Sequence, residues 1–96
     1  MKRYSIIVDD MHKCLVCNTT QNIHIHEVFF GRNGNRDLSI KYGCCVPLCA
    51  WHHNGSNDGV HYNKHLDTKL KKFAQRKFIE HYPELNFVEI FGKNYL

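Results

Sequence analysis

Two short spacings in this chain have the residue types of a metal site. Cys14 and Cys17 form a Cys-x-x-Cys pair, and Cys49 and His52 form a Cys-x-x-His pair. Thiolate and neutral imidazole are ligands that zinc prefers, and structural zinc sites take four of them, often as two such pairs. Residues three apart come to one side in a tight turn or in the first turn of a helix. The alternative for Cys14 and Cys17 is a redox pair, against which the second pair argues. His53 follows His52 directly, and consecutive helical residues diverge by about 100°. A helix that turns His52 toward the first site therefore turns His53 toward another, where the segment carrying His26 is the nearest source of a partner.

The elements that must position these groups belong to one small domain, because 96 residues build a core of marginal strength that usually needs a staple. The apolar run near the N-terminus is too short for a signal peptide or a membrane span, which points to a reducing, cytoplasmic setting. There, five cysteines mixed with eight histidines favour zinc over disulfides. Thirteen Lys plus Arg against nine Asp plus Glu give a formal charge of +4, a mild bias toward polyanions.

Residues 4–8 have the β-branched and aromatic content of a short strand. Cys14 to Cys17, closed by Asn18, Thr19 and Thr20, suit a tight turn. Residues 22–29 alternate, with His24, His26 and Val28 on one face and Ile23, Ile25 and Glu27 on the other. A Gly/Asn-rich basic loop follows, then a helical turn over residues 37–42 that Gly43 stops. Residues 44–48 read as a second strand, with Pro47 confining it to an edge and Cys44 and Cys45 as buried, inert thiols. Cys49 leads into a short helix ended by the Asn/Gly-rich residues 54–59. From about Leu66, an apolar stripe through Leu70, Phe73, Ala74, Phe78 and Tyr82 marks a longer helix that Pro83 terminates. Phe87, Val88, Ile90 and Phe91 are left to close the core.

Taken together, Cys14-x-x-Cys17, His26-Glu27-Val28 and Leu48-Cys49-x-x-His52-His53 resemble the HNH endonucleases, in particular small phage-encoded ones. The resemblance covers roughly residues 12–96 and implies a single α+β nuclease domain. A zinc knuckle plus ββα-metal core would occupy about 12–62, and a C-terminal helical part about 64–96. It implies that Cys14, Cys17, Cys49 and His52 hold a structural Zn2+, and that His26 and His53 hold a catalytic divalent ion such as Mg2+. His61 is expected to join them, as a ligand or against phosphate.

Glu27 stands where the family carries its general-base histidine, and Cys44 where it carries the asparagine of its name. Two assignments stay open: Glu27 as proton acceptor, or Glu27 as ligand with His24 or His26 as acceptor. A carboxylate beside a cation is the weaker base at neutral pH. The catalytic group is thus His26, Glu27 and His53. Arg32, Arg36 and Lys41 are the residues expected to meet the DNA backbone, without sequence reading. Lys69, Lys71, Lys72, Arg76 and Lys77 read first as a solvated helix face. Trp51, Phe29 and Phe30 suit packing more than base stacking. The expected activity is phosphodiester hydrolysis in DNA with low specificity, in phage recombination, packaging or degradation. The alternative is a catalytically degenerate, zinc-stabilised module that binds nucleic acid or a host protein.

Overall fold

The computed structural model describes residues 2–31 and 34–96. In chain order, strand β1 (Ile23–Glu27) is followed by helix α1 (Asn35–Tyr42) and strand β2 (Cys45–Cys49). A π-helical turn (Trp51–Gly55), helix α2 (Lys64–His81) and helix α3 (Phe87–Phe91) complete the chain. The fold is α+β, as the patterning implied, with one two-stranded sheet among the described residues. Its strands are antiparallel, with Ile23 opposite Cys49, Ile25 opposite Pro47 and Glu27 opposite Cys45. Pro47 fits because each strand of a two-stranded sheet has a free edge. Among the described residues no helix is long and apolar enough to cross a membrane.

Residues 4–8 depart from the strand expected of them: only Ser5 bridges to the sheet, opposite Cys44. The reason is local. The Ser5 hydroxyl accepts from the amides of Ile7 at 2.9 Å and Val8 at 3.1 Å, so a side-chain turn takes the backbone donors that a ladder would need. Helix α1 is longer than one turn and ends as expected, at a left-handed Gly43 with φ 75°.

The core lies between the sheet and the C-terminal helices. Leu70, Ala74 and Phe78 of the apolar stripe are buried, with Leu66, Phe73 and Tyr82 packed beside them. The Asn63 side chain caps α2 by accepting from the Leu66 amide at 3.0 Å. Phe29 is fully buried and meets the rings of Phe87 at 5.0 Å and Phe91 at 4.7 Å, so the segment that follows β1 packs on α3. Buried Ser39 fastens α1 to this corner, donating to the Phe29 carbonyl at 2.6 Å and accepting from its amide at 3.1 Å. Cys44 and Cys45 are wholly buried, and burial pushes both thiols up to about 12, as suits inert core residues.

Candidate metal centres

The first centre is built by a turn and a strand end. In the turn, the Cys14 amide donates to the Thr19 carbonyl at 2.8 Å and the Asn18 amide to the Cys14 carbonyl at 2.9 Å. Asn18 takes the left-handed conformation, φ 64°, which asparagine tolerates better than most side chains. The Leu15 amide donates to the Pro47 carbonyl at 2.9 Å, which fixes the turn against β2 two residues before Cys49. The π-helical turn then begins, and His52 comes back over Cys49.

The outcome is that ligand atoms of Cys14, Cys17, Cys49 and His52 all lie within 4.8 Å of one another, positioned to hold a metal ion. Two sulfurs on one tetrahedral zinc, each about 2.3 Å away, stand about 3.8 Å apart, and a sulfur and a nitrogen about 3.6 Å. The Cys17 and Cys49 sulfurs are 3.8 Å apart, and His52 Nδ1 lies 3.3 Å from the Cys49 sulfur and 3.9 Å from that of Cys14. The donor set therefore fits zinc in type and in spacing. Burial raises the Cys14 thiol, but backbone amides of Cys49, Cys17 and Val16 outweigh it and hold the thiol below its ordinary range. That favours the thiolate, the form that binds metal.

The second centre begins one residue later. His24 and His26 share a face of β1 by the two-residue period of a strand, and that face meets the π-helical turn. The rings of His26, His53 and His61 form a triangle, with His53 5.2 Å from His26 and 4.8 Å from His61 and with His26 5.2 Å from His61. His53 Nδ1 is 2.9 Å from His24 Nδ1 and its Nε2 is 3.2 Å from His61 Nε2. His61 is carried there by a folded-back loop in which its amide donates to the His53 carbonyl at 3.2 Å. Gly59 makes the fold-back possible, because a side chain at that position would meet the same carbonyl at 2.9 Å.

Nitrogens of His26, His53 and His61 lie within 4.8 Å of one another. His26 is only 2 % exposed, yet its Nε2 has no hydrogen-bond partner among the described residues. A buried polar atom left so costs about 1–3 kcal/mol, unless something completes it. Burial, reinforced by His53, His61, Lys71 and Arg36, lowers His26 to about 3. Burial likewise lowers His53, with His61 and His24 adding to it. Both imidazoles are thereby kept neutral at physiological pH, as metal ligation requires. Histidine nitrogens, one of them buried and unpartnered, and excluded protons fit a divalent ion. An open cleft of about 360 Å³ lies over the three rings.

The other residues singled out from the sequence fall as follows. Glu27 lines this cleft but lies outside the histidine cluster, and its Oε1 faces Arg3 at 3.4 Å and Arg36 at 3.5 Å. Arg36 also lines the cleft, whereas Lys41 does not, its Nζ lying 5.2 Å from the ring of Tyr42. Arg32 lies outside the described residues. Lys69 and Arg76 border a different groove, beside Leu15 and Val16, and Lys71 pairs with Asp67 at 2.8 Å. Trp51 is exposed, not packed in the core, and its indole donates to Asp58 at 3.1 Å.

Arg3 was not foreseen: a lone basic residue near the N-terminus carries no spacing signal, and only the path of the chain brings it to the cleft. His24 did carry one, its two-residue offset from His26. Comparison of the chain with protein-family profiles, with curated proteins and with solved structures finds no match.

Proposed function

We propose that this chain is a metal-dependent endonuclease of the HNH type that hydrolyses DNA phosphodiester bonds with little sequence preference. A phage role in recombination, packaging or degradation of DNA suits such an activity. The carrying observation is the meeting of three imidazoles, from a strand, a helical turn and a fold-back loop, beneath an open cleft and beside a four-ligand zinc-type centre. That combination agrees with the resemblance of the Cys, His and Glu segments to HNH enzymes, and with their ββα-metal arrangement of an antiparallel strand pair and a helical element.

A divalent ion bound by the three histidines would neutralise the scissile phosphate and stabilise the leaving oxygen. His26, buried and neutral, and His53, oriented through its Nδ1 by His24, offer their nitrogens to it, and His61 offers the outermost one. Glu27 Oε1 is already engaged by Arg3 and Arg36, which weakens its claim to the proton of the attacking water. Phe30 packs against His26 and His61, at 5.7 and 5.2 Å, and walls the cleft on one side.

The same engagement of Glu27 favours the second reading, a zinc-stabilised module that binds nucleic acid or a host protein without chemistry. Supercoiled plasmid incubated at low salt with Mg2+, Mn2+, Ni2+ or Zn2+ separates the two. Nicking that His53→Ala abolishes is the expected result, and no nicking with any of the ions would remove the enzymatic reading.

A further inference from the structure

We infer that Arg3 and Arg36 form a clamp for one phosphate of the DNA backbone, and that Glu27 is the positioning residue that holds their guanidinium groups over the cleft. The substrate class rests on the nuclease reading above, but binding can be measured without cleavage.

Three distant segments converge to make this trio. Glu27 is the last residue of β1, Arg36 lies in the first turn of α1, and Arg3 is delivered by the N-terminal segment that Ser5 bridges to Cys44. Both arginines address a single oxygen, Glu27 Oε1, Arg3 through a terminal guanidinium nitrogen and Arg36 through Nε. Exposure is divided unequally. The Glu27 side chain is 12 % exposed, while those of Arg3 and Arg36 are 43 % and 65 % exposed. The negative charge is thus sunk into the wall and the two positive ones stand out over the cleft, leaving the trio one positive charge in excess.

An ordinary surface ion pair contributes little to stability. These contacts, at 3.4 and 3.5 Å, exceed the roughly 2.7–2.9 Å of a strong charge-assisted bond, so they are poor stabilisers. They do set direction. A guanidinium has five N–H donors, so each arginine keeps unused donors for an oxyanion, in the planar fork that suits phosphate. The trio lines the same cleft as His26, His53 and His61, so a backbone phosphate taken by the arginines lies beside the one over the histidines.

The test is fluorescence anisotropy of a short labelled DNA duplex over a salt series, with no divalent ion added. Arg3→Ala and Arg36→Ala are each expected to weaken binding about tenfold, and each to lower the slope of log affinity against log salt by about 1. Arg3→Lys and Arg36→Lys restore the slope but only part of the affinity, since a point charge replaces a fork.

Glu27→Ala gives the distinguishing readout. Loss of a negative charge should strengthen binding to DNA on electrostatics alone, whereas loss of a positioning residue weakens it, and Glu27→Gln, which keeps an acceptor oxygen, recovers part of the loss. Thermal melts of the variants matching the parent accompany the expected result. Parental slopes in both arginine-to-alanine variants, or tighter binding by Glu27→Ala, overturn the clamp even if the parent nicks plasmid. Arginine-dependent slopes in a parent that never nicks support the clamp and remove the nuclease reading.

Discussion

The two histidine-containing clusters meet across one peptide bond, between His52 and His53, and are built in opposite ways. The Cys14, Cys17, Cys49 and His52 cluster has four donors, three of them sulfur, with Cys14 and Cys49 buried, and so is complete without any outside group. The His26, His53 and His61 cluster has three nitrogen donors, a buried floor at His26 and an exposed rim at His61, beneath an open cleft. A closed four-ligand shell holds a fold together, while three protein ligands and an open position leave room for water or substrate. The π-helical turn is the device that separates them, since adjacent side chains on it face different neighbours. On the proposed reading, stability and chemistry fall to neighbouring residues, and substitutions can pull them apart.

The largest expected effect is on the first cluster. Cys49→Ser should remove bound zinc and the cooperative thermal transition together, because metal affinity of this kind, about 10–16 kcal/mol, is folding free energy in a domain with little core to spare. A variant that melts like its parent and keeps its zinc would erase the contrast between the clusters. Next comes His53→Ala, which should keep the zinc content and a near-parental melt but lower plasmid nicking by at least about a hundredfold. If His53→Ala loses zinc as well, the two clusters are one unit.

Acidification tests the floor of the second cluster. In the unfolded chain a histidine takes up its proton near 6.5, and in the fold His26 does so only near 3. Between those values the unfolded chain holds the extra proton, so stability is full above about 6.5 and falls as pH drops through the window. The contribution of His26 is on the order of a few kcal/mol, and His26→Leu should show a shallower fall than the parent in denaturant melts run across that range. Equal pH dependence in the two proteins would mean that His26 is not the buried neutral group. The smallest effect is expected at Lys72, exposed on α2 beside His65 and Thr68 and away from the cleft. Lys72→Ala should leave nicking and duplex affinity within about twofold, and a larger loss would extend the DNA path onto that helix.

Much of this molecule follows from local spacing. Cys-x-x-Cys and Cys-x-x-His bring donors together within a turn, the two-residue period puts His24 and His26 on one face, and the stripe from Leu66 to Tyr82 defines α2, because each depends only on residues a few positions apart. Residues 4–8 misled for an equally local reason, the Ser5 hydroxyl competing for backbone amides that composition alone assigns to a strand.

The register of β1 on β2, the fold-back that carries His61 to His53, and the convergence of Arg3 and Arg36 on Glu27 were decided by tertiary structure. These contacts join positions beyond the reach of a strand or helix period, and their formation depends on how the core around Phe29 and Phe78 packs the segments between them. No spacing rule records that path. The sequence determined which residues can bind metal and that His52 and His53 must face apart, while the packed chain decided that Glu27 faces two arginines and not the histidine cluster.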